Sequence, residues 1–120
     1  MSYKSLIALN IMITVAFVGV VSAFAQTADT TAPVISGVGS SAITQTSAVI
    51  NWTTDEASDS QVEYGTSTAY GLATALAPAT TTAHQVALGS LTASTTYHYF
   101  VKSKDVAGNL ATSSDYTFTT

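Results

Sequence analysis

Seven carboxylates, two histidines and many hydroxyls are the side chains here that could do chemistry. Asp55, Glu56 and Asp59, with Glu63 just beyond, crowd one short stretch. Several carboxylates close together suit a hard cation such as calcium. Their spacing matches no EF-hand loop, and no glycine stands where that loop must turn. The stretch is therefore read as a solvated acidic loop. Asp105 and Asn109 flank Gly108 and are read as closing a hairpin turn. His84 and His98 share no metal-ligand spacing of the His-Glu-x-x-His kind, so each takes a structural or surface role. There is no cysteine nucleophile, no Gly-x-Ser-x-Gly elbow and no glycine-rich phosphate loop. Serine is plentiful, yet no Ser-His-Asp set follows from spacing. The expectation is a non-enzyme with no catalytic, cofactor-binding or metal-binding residues.

The chain has 120 residues, enough for one domain. Its first stretch stands apart. Lys4 is a basic start, Leu6 to Val21 is mostly apolar, and Ala23 and Ala25 are the small residues that a signal peptidase reads. The apolar run is shorter than the roughly 20 residues of a membrane span. Residues 1–25 are thus read as a cleaved signal peptide; a membrane association would follow only if it stayed uncleaved. The protein is expected to be secreted or held at the cell surface. The remaining 95 residues carry two lysines, no arginine and seven acids, a formal charge of −5. Such a surface cannot neutralise a phosphate backbone, which excludes nucleic acid, and it is repelled by anionic membranes. Without cysteine, stability must come from packing and backbone hydrogen bonds.

Residues 26–32 are small and polar, a flexible lead-in, and the folded domain is expected over 33–120. After residue 25 the hydrophobic period is two, not 3.6. Val34 to Val38 reads as a first strand with Ile35 and Val38 inward. Ser47 to Thr53 puts Ala48, Ile50 and Trp52 on one face. Ser60 to Tyr64 puts Val62 and Tyr64 inward, and Gly65 stops it. Tyr70 to Thr74 reads as a short edge strand. Pro78 and Thr80 to Thr82 read as a loop. His84, Val86 and Leu88 share a face of the next strand, and Leu91 plugs back into the core. Thr95 to Lys102 points Tyr97, Tyr99 and Val101 inward, with His98, Phe100 and Lys102 outward. Ser113 to Thr119 closes the set with Tyr116 and Phe118 inward. Seven short strands separated by turn signals make an all-β sandwich.

Trp52 in the second strand, and Leu91 six positions before Tyr97, resemble the fibronectin type III family. So do Val62-Glu63-Tyr64-Gly65, His84-Gln85-Val86-Ala87-Leu88 and Asp105-Val106-Ala107-Gly108-Asn109, which look like bacterial extracellular versions of that module. They also look like the N-terminal domain that precedes the catalytic part of purple acid phosphatases. The resemblance spans Pro33 to Thr120 and implies a seven-stranded immunoglobulin-like sandwich. Its core would hold Ile35, Ile50, Trp52, Val62, Tyr64, Val86, Leu88, Leu91, Tyr97, Tyr99, Val101 and Phe118. The Tyr97 hydroxyl would reach back to backbone after Leu91, the tyrosine corner, leaving an acceptor unpaired in a Tyr97→Phe variant. No catalytic residue carries over, because the phosphatase metal ligands belong to a separate domain. No Arg-Gly-Asp occurs in the loop that some family members use for adhesion.

The implied role is a non-catalytic extracellular spacer or protein-interaction module, monomeric, whose partner is a neighbouring domain or another extracellular protein. The alternative is the accessory N-terminal domain of a secreted hydrolase, phosphatase-like or polysaccharide-degrading. Carbohydrate binding ranks last, since the tyrosines mostly face inward. Phe100, with Val49 and His98 as neighbours, is read as an isolated exposed apolar residue. Asn51-Trp52-Thr53 matches a glycosylation acceptor but sits inside a strand, so it is discounted.

Overall fold

The computed structural model describes residues 26–120, and the signal peptide read over 1–25 lies outside the described residues. Residues 26–34 have no regular secondary structure. Seven strands follow: β1 (Ile35–Ser41), β2 (Ala48–Gly65), β3 (Leu72–Ala73), β4 (Ala77–Leu88), β5 (Thr96–Lys104), β6 (Leu110–Thr112) and β7 (Tyr116–Thr119). No helix occurs among the described residues.

All pairings are antiparallel, and β2 belongs to both layers. Its first half pairs with β1 on one side and β4 on the other, running Ala48↔Leu88 to Thr53↔Ala83. Its last five residues pair with β5, from Gln61↔Lys102 to Gly65↔His98, and Glu63 and Tyr64 also pair with β3. The far side of β5 carries β6 and then β7. One sheet is therefore β1-β2-β4 and the other is β3-β2-β5 with β6 and β7.

Alternation builds the core between the sheets. Ala48, Ile50 and Trp52 are buried from one layer, with Leu88 beside them. Val62, Tyr97, Tyr99, Val101 and Phe118 are buried from the other, and Leu91 fills the end. Ile35, Val38, Tyr64 and Val86 are half-buried and pack on its margin. Tyr97 and Phe118 stack with centroids 5.6 Å apart, and Tyr99 leans on Phe118 at 5.8 Å. Rings this close gain more than their buried area alone provides.

The seven strands are not the seven read from the sequence. Asp55 to Asp59 is not a loop: it lies inside the 18-residue β2, where that strand crosses between sheets. Two register shifts, at Thr53/Ser58 and at Ser58/Ser60, bend it there. Pro78 and Thr80 to Thr82 are not a loop either but the start of β4, which follows the crossing at Ser58↔Thr81 and Ser60↔Ala77. This half of β4 has a solvent-exposed edge, where proline needs no ladder partner. The closing strand read over Ser113 to Thr119 begins only at Tyr116, as β7, and a separate short strand, β6, precedes it at Leu110–Thr112. Tyr116 is 37% exposed although its ring reaches Tyr99, because β7 is a sheet edge that covers only one side of it.

Two turns need their residues. A Cβ on Gly65 would lie 1.7 Å from the Tyr70 carbonyl oxygen, so only glycine lets the chain fold back from β2 towards β3. Gly108 has φ +96°, the left-handed turn position that glycine adopts without strain. The tyrosine corner is present with its polarity reversed. The Thr92 N–H donates to the Tyr97 hydroxyl at 2.9 Å, so the hydroxyl is the acceptor and the backbone supplies the donor.

Candidate functional site

The described side chains with chemical potential fall into three groups, each assembled from different elements. The first is buried where β2 crosses. His84 lies well inside β4 rather than at a strand start, and is 4% exposed. Its ring stacks on Trp52 at 4.9 Å with planes 7° apart. Three hydroxyls from the crossing surround it: Thr54 Oγ1 lies 2.8 Å from Nε2, Ser60 Oγ lies 2.7 Å from Nδ1, and Ser58 Oγ is 3.5 Å away. The Trp52 indole N–H donates to Ser103 Oγ of β5 at 2.9 Å. Burial lowers the imidazole pKa below its ordinary value, and the Asp59 carboxylate pulls weakly the other way. None of these hydroxyls faces solvent, so the group holds a proton fixed but presents no nucleophile to a substrate.

The second group is acidic. The four carboxylates that crowd the sequence are dispersed in space. Asp55 Oδ1 accepts from the Val34 N–H at 2.7 Å, Asp59 Oδ1 accepts from the Lys104 N–H at 2.8 Å, and Glu63 pairs with Lys102 at 2.9 Å. Extension along β2 separates Asp55, Asp59 and Glu63, since four residues of strand span roughly 13 Å, and alternation turns only Glu56 away from Asp55. Only Glu56 joins a cluster, and its companions are Asp29 and Asp105, with one oxygen of each within 4.8 Å of the others. Asp105 closes the β5–β6 turn: its Oδ1 accepts from the Asn109 N–H at 2.9 Å and its Oδ2 from the Asn109 amide at 2.8 Å. Hydrogen bonds from Asn109 and the turn backbone outweigh burial and lower the Asp105 pKa. Glu56 is shifted up, first by desolvation and then by Asp29, Asp105 and Asp55. These three carboxylate oxygens are close enough to meet one hard cation, and each Asp105 oxygen also accepts a hydrogen bond from its own turn.

The third group lies on the outer face of the second sheet. His98 Nδ1 meets Asp115 Oδ2 at 2.8 Å, and the Tyr70 hydroxyl donates to Asp115 Oδ1 at 2.9 Å. Both contacts lower the Asp115 pKa, the His98 contact most. The Tyr70 ring packs edge-on against Phe100 at 4.7 Å. Phe100 is thus not isolated, and its neighbour is Tyr70 rather than Val49, which pairs in the other sheet. Tyr70 holds this position at φ 56°, a strained backbone for a residue with a Cβ. The two rings are not coplanar, 66° apart, and offer no flat platform for a sugar. Asn51 is half-buried in β2, and its amide donates to Ser41 Oγ at 2.7 Å.

No signal in the sequence joins Asp29 to Glu56 and Asp105, which are far apart along the chain. Thr54, Ser58, Ser60 and Ser103 are equally silent, since hydroxyl residues on a strand read as surface.

Comparison with known proteins fits this arrangement. Residues 37–120 match the family described as "Purple acid Phosphatase, N-terminal domain". The chain is also 41% identical over 96 residues to endoglucanase B of Cellulomonas fimi, an alignment covering 77% of this chain. It spans only 9% of that relative's length. The match over most of the two-sheet domain shows that the chain belongs to the purple acid phosphatase N-terminal domain family, a fibronectin type III-like sandwich.

Proposed function

We propose that this domain is a non-catalytic accessory module of a larger exported hydrolase, acting as a stiff spacer that positions a neighbouring domain. The observation that carries the reading is the kind of similarity found. One match is to the N-terminal domain of an enzyme, and the other is to a small fraction of an endoglucanase. The geometry agrees with it: the polar groups are spent on one another, His84 within the core and Asp105 on its own turn. A strand shared between the two layers suits a mechanical role, because the sheets cannot swing apart at a loop. Export rests on the leader pattern in residues 1–25. The partner on this reading is a neighbouring domain, and the domain itself is monomeric.

Sequencing the gene beyond the codon for Thr120 tests the proposal. A hydrolase domain on the same polypeptide is the expected result. Further sandwich repeats without one would favour a spacer of a surface protein instead. Hydrolysis of a phosphate monoester or of soluble cellulose by residues 26–120 alone would overturn the non-catalytic assignment.

A further inference from the structure

We propose that His84 is an acid-sensitive clamp: the neutral imidazole ties the sheet-crossing stretch of β2 to β4, and a second ring proton releases it. The hydrogen-bond pattern fixes the neutral tautomer. Thr54 Oγ1 donates to the Glu56 carbonyl at 2.7 Å, an oxygen that can only accept. It also receives the Ser58 hydroxyl at 3.1 Å. Thr54 has no further hydrogen to give, so it accepts from His84 Nε2–H. Nδ1 is then the bare nitrogen, and Ser60 Oγ donates to it.

A proton on Nδ1 turns this acceptor into a donor. The Ser60 hydroxyl must rotate away, and among the described residues it has no other side-chain hydrogen bond to turn to. A buried hydroxyl hydrogen without an acceptor is costly, and so is a buried charge. Asp59, on the crossing itself, favours the cation, but its Oδ1 is already engaged by the Lys104 N–H. The other charged groups around the crossing are Asp55 on β2, held by the Val34 N–H, Glu56 on β2 with Asp29 of the lead-in beside it, Asp105 on the β5–β6 turn, which meets Ser58 in a β-bridge, and Lys104 on β5. Asp105 is held by Asn109. The Trp52 face softens the charge without giving Ser60 a partner.

The sign follows from the direction of the shift. The folded state binds this proton less readily than the unfolded chain does, because burial holds the ring below the ordinary 6.5. Above that pH neither state is protonated and the clamp is intact. As pH falls below it, the folded state loses ground, by at most about tenfold in the folding constant per pH unit for one proton.

Trp52 is the single tryptophan, so indole fluorescence reports the stacked pair directly. The test uses the protein carrying His98→Asn, titrated from about pH 7.5 to about pH 5 around the imidazole range. Fluorescence is followed together with amide hydrogen exchange. The expected result is one-proton quenching of Trp52 with its midpoint below 6.5. Protection at Asp55–Ser60 and Ala77–Thr82 should fall through the same midpoint while β5 stays protected. Adding His84→Gln should abolish both changes. A midpoint at or above 6.5, or the same loss of protection with His84→Gln, overturns the clamp. If His84→Gln does not fold, the imidazole resonances of His84 in the His98→Asn protein decide it by their midpoint and by whether they move with the exchange of the crossing.

Discussion

The two ends of the core are stabilised by different chemistry. At one end Tyr97, Phe118 and Tyr99 pack ring on ring beside Leu91, and the core side chains there make one polar contact, Thr92 N–H to the Tyr97 hydroxyl. At the other end the Trp52 indole lies flat on a histidine, and four hydroxyls from two strands satisfy both rings. The first end tolerates small displacements, since dispersion is non-directional. The second requires each donor to meet its acceptor, because an unpaired polar atom there costs about as much as a hydrogen bond gains or more. The polar end also lies where β2 leaves one sheet for the other, so directional bonds stand where the ladder is irregular.

Variants can break this contrast in order of size. Trp52→Ala should be the most damaging, since it empties the junction and orphans both Ser103 and one face of His84. A loss of about 3–5 kcal/mol is expected for a large buried aromatic, read from the denaturant midpoint at constant slope. Ser103→Ala removes only a hydroxyl, yet leaves the indole N–H buried and unpaired, and about 1–3 kcal/mol should be lost. At the aromatic end, Tyr97→Phe keeps the ring stack and orphans only the Thr92 N–H, so about 1 kcal/mol is expected. A Tyr97→Phe penalty larger than that of Ser103→Ala would reverse the contrast. The smallest effect belongs to the acidic cluster outside both ends. Glu56→Gln should raise Tm slightly at neutral pH, because ionised Glu56 is disfavoured by desolvation and by Asp29, Asp105 and Asp55. The gain should shrink in high salt. It should also vanish as pH falls through the raised Glu56 pKa, where the native carboxyl is already neutral. A fall in Tm instead would mean that the three acids share a cation.

How much of this was legible in the sequence follows the same division. Period-two alternation placed Ile50, Trp52, Tyr97, Tyr99 and Val101 on inner faces, because burial of apolar side chains is what sets strand register. Asp, Gly and Asn marked the turn at 105–109. The crossing reads as a loop because Asp55 to Asp59 are mostly polar, and polar runs usually mark loops. Nothing local reveals that Ser58 and Ser60 are buried; that depends on His84, on another strand. The acidic cluster failed for a related reason. An extended strand spaces residues that a loop would gather, so crowding in sequence became dispersal in space, and the carboxylates that do meet come from the lead-in, β2 and a turn. Proline and a threonine run hid the first half of β4, since an exposed edge tolerates residues that a central strand would not.

The unbroken course of β2 has a consequence for how such a module can vary. A loop between layers absorbs an inserted or deleted residue with little harm. A ribbon that serves both layers is more exacting: unless one of its register shifts takes up the change, one residue more or less between Thr54 and Ser60 turns every side chain of one half towards the wrong side. Length polymorphism should therefore be confined to the turns between strands, and a chain of this kind that gains a residue at the crossing would have to rebuild half its interior.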